Sequence, residues 1–145
     1  MSVPVINLFL MIGILMYAPK VNSQEIGLDS IADYWANEGK ILSKNKLYQE
    51  SDSLLSLAKN VYKKNNDWYK WFSCISRMNT NGIKQRKYNE CLDTLVSLEG
   101  LVPPDSIYLM AKFKYKQAFV YQYIGNVFES IRHFKMNKAL FQLCN

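Results

Sequence analysis

Residues 35–58 read WANEGKILSKNKLYQESDSLLSLA, and the spacing inside this stretch decides the fold. Trp35, Gly39 and Leu42 are four and three residues apart, which sets them on one side of a helix. Asn45 then interrupts the pattern. Tyr48, Ser51, Leu55, Ala58 and Tyr62 resume it at steps of three or four, giving a second apolar stripe on a second helix. Small side chains (Gly39, Ser51, Ala58) facing bulky ones (Trp35, Tyr48, Leu55) are what allows two helices to approach closely.

The same ruler fits twice more. Ile75, Asn79, Gly82, Tyr88, Cys91, Leu95 and Leu98 follow it at a displacement of 40 residues, and Lys114, Ala118, Tyr121, Val127, Ser130, Phe134 and Asn137 at a further 39. A fixed period in this range is the mark of a repeat architecture. Turn-type residues at Asn45, Asn65 to Asp67, Asn79 to Gly82, Pro103 to Asp105, and Gly125 to Asn126 delimit six helices. Ser30 and Asp33 have the spacing of a capping box at the start of the first, with Asp in place of the usual Glu. Asp67 is placed to cap the third, whose apolar side is Trp68, Trp71, Ile75 and Met78. Asp105 and Ser106 open the fifth, with Met110, Phe113, Val120 and Ile124 inward; the sixth carries Ser130, Ile131 and Phe134. Lys112 to Lys116 alternates at period two like a strand, but the alternation lasts five residues inside a long helical pattern and has no partner strand. The chain is therefore expected to be all-helical. Asn79 and Gly82 fit the ruler worst, so the third helix is expected to end early or kink there.

The run W-x-x-x-G-x-x-L followed by Y-x-x-S-x-x-x-L-x-x-A, and the third unit's Ala118, Tyr121, Gly125, Ser130 and Phe134, resemble the tetratricopeptide repeat. The resemblance covers residues 32 to about 140. It implies a right-handed stack of about three antiparallel helix pairs, with units near 29–65, 66–101 and 105–141. The family period is shorter, ~34 residues. The surplus is expected in the second helix and the loop of each unit. A HEAT-type stack is the alternative at this period. A leader followed by long-period, Trp-rich units also resembles the amino-terminal part of exported repeat proteins that carry a CHAT peptidase domain. On that likeness the chain is a regulatory or recruiting segment of a larger enzyme.

Val3 to Ala18 form an apolar stretch broken only by Pro4, Asn7 and Gly13, too short for the ~20 residues a membrane crossing needs. With Val21 and Ser23 as small residues before the cut, residues 1–23 read as a signal peptide cleaved before Gln24, which places the repeat domain of 24–145 in the periplasm or outside the cell. The alternative is an uncleaved anchor, the only membrane contact expected. Removing 1–23 leaves 17 basic against 12 acidic side chains, and Lys40, Lys59, Lys84, Lys112 and Lys135 are dispersed among the acids. Nucleic-acid binding, which calls for a concentrated basic stripe, is not expected. Cys74, Cys91 and Cys144 form no C-x-x-C pair; the first two stand at apolar helical positions as small buried hydrophobes.

No catalytic constellation is legible. His133 is the lone histidine and reads as a rim residue, the six glycines make no phosphate loop, and carboxylate pairs such as Asp33 with Glu38, or Glu50 with Asp52, have the spacing of a solvated face. No enzyme, metal or cofactor is expected. What is expected is a scaffold for a peptide or protein partner. In the tetratricopeptide family the first helix of each pair lines a concave groove, which by register selects Ala36, Lys40, Ser43 and Lys44, then Ser76, Thr80 and Lys84, then Tyr115, Phe119, Gln122 and Tyr123, with Lys112 a turn earlier. Lysines at intervals with an aromatic wall suit an extended peptide. Lys112 and Lys116 partly resemble the basic pair of a carboxylate clamp, but Ala36 and Arg77 depart from it and no clamp is inferred. The last helix ends on Ala139 to Cys144 without the polar cap a solenoid needs. Further repeats, self-association with a second copy (with Cys144 available for a disulfide) or a partner are expected to cover it.

Overall fold

A computed structural model describes residues 27–144; the leader reading of 1–23 falls outside them. Six helices follow one another: α1 (Leu28–Lys44), α2 (Tyr48–Lys64), α3 (Trp68–Lys84), α4 (Tyr88–Glu99), α5 (Ile107–Ile124) and α6 (Val127–Gln142). The described residues are all-helical, and none of these helices is long and apolar enough to cross a membrane. The Lys112 to Lys116 alternation lies within α5, as the surrounding period required.

Four of the five connections are the same device. Lys46, Asn66 and Arg86 have φ of 65, 58 and 61°, and Gly125 has 85°. At each, the left-handed residue donates its N–H three residues back, to Ser43, Lys63, Ile83 and Gln122. The next residue (Leu47, Asp67, Lys87, Asn126) donates five back, to Leu42, Tyr62, Gly82 and Tyr121. These paired bonds satisfy carbonyls that a helix end would otherwise leave open. The odd connection is Gly100 to Ser106, where Pro103 and Pro104 stand and Val102 is buried. Asp67 caps α3 by accepting from the Lys70 N–H, as expected. The capping box does not form: α1 starts earlier, with the Gly27 carbonyl accepting from Ser30 and no side chain capping.

Two other expectations are corrected. α3 runs unbroken through Asn79 to Gly82 and stops at Lys84. Gly82 costs little helix propensity compared with the contact it permits: a Cβ there would lie 2.4 Å from Cys91 Sγ on α4. The extra length is not confined to second helices and loops: α1, α2 and α3 all have 17 residues and are joined by three-residue turns, while the Gly100 to Ser106 connection is long.

Each helix packs on the next, α1 also touches α3, and α3 also touches α5. Neither α1 nor α2 reaches α5 or α6, so the helices succeed one another rather than close into a ring. The core follows this line from Ala32, Leu55 and Ala58 through Trp71, Phe72, Ile75, Cys91 and Leu95 to Phe113 and Val120. Trp71 stands edge-on to Trp68 at 5.3 Å and tilted on Phe113 at 5.9 Å, while Phe72 meets Phe113 edge-on at 5.0 Å. Such pairs contribute ~0.5–1.5 kcal/mol each beyond area burial. Inside α5 and α6 the expected apolar side is only partly covered: Ile124, Val127 and Ile131 are exposed.

Candidate binding groove

Small-against-large contacts repeat between pairs. Ser51 Oγ donates to the Gly39 carbonyl at 2.8 Å, and forty residues on, Cys91 Sγ donates to the Asn79 carbonyl at 3.6 Å. Gly39 is needed for this approach, since a Cβ there would meet Leu55 Cγ at 2.8 Å. Neighbouring pairs are keyed by Asn81 of α3. Its Oδ1 accepts from Ser43 of α1, and its Nδ2 donates to Ser51 Oγ at 3.0 Å and Asp52 Oδ1 at 2.7 Å on α2. Burial pushes the Asp52 carboxyl up, with the Asn81 bond opposing. No apolar side chain at 81 supplies these bonds.

With α1, α3 and α5 so aligned, two hollows open along them. One, between α1 and α3, is lined by Asp33, Asn37, Lys40, Tyr69, Lys70 and Ser73 among others. The second, between α3 and α5, measures about 310 Å³ and is lined by Tyr69, Phe72, Ser73, Ser76, Arg77, Thr80, Lys112 and Lys116. Tyr69 and Ser73 border both, so the two hollows are neighbours across α3. At the first, Asp33 accepts from Tyr62 Oη at 2.6 Å and pairs with Lys70 at 2.9 Å. Those hydrogen bonds, Tyr62 first and then Lys70, hold the Asp33 carboxyl below its ordinary value. The second hollow contains no acid. Burial, then the neighbouring Arg77 and Lys112 charges, pull the Lys116 ammonium below the usual lysine value.

The residues selected by register divide. Ala36 and Lys40 line the α1–α3 hollow; Ser76, Thr80 and Lys112 line the α3–α5 hollow. Thr80 Oγ1 donates to the Ser76 carbonyl at 2.9 Å, and Lys112 Nζ sits 4.7 Å over the Tyr108 ring. The others lie elsewhere. Ser43 is buried on Asn81, Lys44 is exposed outside either hollow, and Lys84 lies 6.0 Å over the Tyr48 ring. Tyr115 and Phe119 form an edge-on trio with Phe134 of α6, at 4.9, 5.9 and 5.5 Å, rather than a wall beside the lysines. Tyr123 stacks on Tyr88 of α4 at 5.6 Å, and Gln122 is exposed beside it in sequence. Register counting mixed groove positions with positions that face another helix: Ser43 meets α3, Tyr123 meets α4, and Tyr115 and Phe119 meet α6. Tyr69, Ser73, Arg77 and Lys116 were missed as groove residues. The signal for them was present: 69, 73, 77 and 112, 116 step by four along α3 and α5.

Cys74 and Cys91 are buried and free, with burial pushing the Cys74 thiol up to about 11 and the Cys91 thiol upward too; Cys144 is free and exposed. His133 is not on a rim. It is 12% exposed, tilted on the Tyr121 ring at 5.0 Å, with Nε2 3.7 Å from Glu129, and burial first, then Lys114, lowers its basicity. Among the described residues no three His, Cys, Asp or Glu side chains gather as a metal site. Compared with known proteins, the chain matches no family model, no curated protein and no solved structure.

Proposed function

We propose that the chain is a non-catalytic scaffold, a tetratricopeptide-like right-handed stack of three helix pairs that holds an extended segment of a partner protein along α1, α3 and α5, outside the cytoplasmic membrane. The observation that carries this reading is that Tyr69 and Ser73 border both hollows, so that a segment crossing α3 there would touch all three first helices. The open succession of contacts supports it, because α1 to α3 and α3 to α5 are the contacts a stack of hairpins makes. Export rests on the apolar stretch of residues 3–18 alone.

An extended peptide is the occupant that suits such a face. It pairs its charges with Lys40, Lys70, Arg77, Lys112 and Lys116 and lays a flat side chain on Tyr69, which is 66% exposed. Selection of binders from a random peptide library tests this. The expected result is a recurrent motif whose peptides bind the Tyr69→Ala and Arg77→Glu variants at least ten-fold more weakly, while Phe128→Ala, on the exposed side of α6, binds normally. Failure to select any motif, or a motif indifferent to Tyr69 and Arg77, would overturn the reading.

A further inference from the structure

The α3–α5 hollow differs from the α1–α3 hollow in its charge. Arg77, Lys112 and Lys116 converge on it, no carboxylate lines it, and none of the three takes part in an ion pair among the described residues. Lys70, Lys114 and Arg132, by contrast, do have acids: Lys70 has Asp33 and Asp67, Lys114 has Glu99, and Arg132 has Glu129. Lys116 is moreover drawn partly out of water without a counter-charge, so burial and its two cationic neighbours work against its proton. Three like charges gathered without compensation cost stability, and the arrangement gains its compensation when an anion enters.

The number and kind of donors say which anion. A guanidinium presents a planar fork of N–H groups, each ammonium offers three, and the Ser73 and Ser76 hydroxyls line the same hollow. A lone carboxylate has two oxygens and one charge, too little for this set. A phosphoryl group has three terminal oxygens and about −1.5 to −2 charge near neutrality, and it matches the forked geometry of arginine. We propose that the α3–α5 hollow is a phosphate site, built by Arg77, Lys112 and Lys116, that takes a phosphate dianion either as a free solute or as a phosphoryl group on the segment held along α1, α3 and α5. The second source rests on the scaffold reading; the first does not.

The test is an NMR titration of the full-length, isotope-labelled protein with inorganic phosphate at constant ionic strength, using acetate as the control anion. Saturable shifts confined to α3 around Arg77 and α5 around Lys112 to Lys116, absent with acetate, are expected. Lys116→Gln and, separately, Lys112→Gln should each weaken the phosphate response at least ten-fold while leaving the helical circular dichroism unchanged. Both positions are only partly buried, so either variant retains the fold. A phosphoserine peptide bound ten-fold more tightly than inorganic phosphate assigns the group to a partner; equal affinity assigns it to a free solute. Equal responses to phosphate and acetate, or shifts untouched by both substitutions, would overturn the proposal. Selectable peptides with no phosphate response would sink this site and leave the scaffold standing; a phosphate response with no selectable peptide would do the reverse.

Discussion

Gly82 is where one missing side chain decides how close two helices come. Its Cα lies against Cys91, and any Cβ would fall 2.4 Å from the sulfur. Gly82→Ala is expected to lower stability by about 1–3 kcal/mol, the usual cost of overpacking a tight core, despite the better helix propensity of alanine. In the Cys91→Ala background the same change should cost less than half as much, a coupling that thermal or denaturant unfolding of the four proteins measures. In the sequence Gly82 looked like a helix breaker next to Asn79 and Asn81. The reading failed because propensity is local, whereas Asn81 is held by Ser43, Ser51 and Asp52 from two other helices, contacts that no single-helix pattern contains. The small positions Gly39, Ser51 and Ala58, by contrast, were legible from their spacing: a Cβ at 39 would meet Leu55, and Ser51 and Ala58 are fully buried.

Helices α4 and α5 are tied differently from the other neighbours, because their connection is the long Gly100 to Ser106 segment instead of a turn of two or three residues. The tie is Glu99. It accepts from Lys114 Nζ and Gln117 Nε2, each at 2.8 Å, with the ion pair only 16–17% exposed. Removing one partner strands a largely desolvated charge, whereas removing both does not. Lys114→Met alone is thus expected to cost about 2–4 kcal/mol, and Lys114→Met with Glu99→Leu clearly less, in urea unfolding. This contact explains why a lysine stands where the ruler has Trp35 and Ile75. The six elements were legible because their apolar steps and turn residues are local. Their shared rhythm was only half read: helices begin at 28, 48, 68 and 88, and again at 107 and 127, and the aromatics Tyr48, Trp68, Tyr88, Tyr108 and Phe128 carry a period of twenty.

At the scale of the whole molecule, the open succession of helices has consequences that a closed bundle would not. α6 touches α5 alone, buries only Ser130, and leaves Val127, Phe128 and Ile131 to solvent at 65, 75 and 50% exposure. α3 touches four other helices and carries Trp71, Phe72, Cys74 and Ile75 in the core. The sequence disclosed the first-helix face in outline, with Lys40, Thr80 and Lys112 among its true members. It misjudged Tyr115, Phe119 and Tyr123, because which flank of α5 faces α3 and which faces α6 depends on the rotation between pairs, a quantity that three-four spacing does not encode.

Amide hydrogen exchange of the protein, free and saturated with a peptide selected for binding, decides whether α1, α3 and α5 together form the partner-holding face. Free, α3 is predicted to exchange slowest and α6 fastest. Bound, added protection is predicted along α1, α3 and α5, strongest around Tyr69 to Arg77 and Lys112 to Lys116, with α6 unchanged. Protection that appears instead on α6 around Phe128 and Ile131, with α3 and α5 unaltered, would contradict the account.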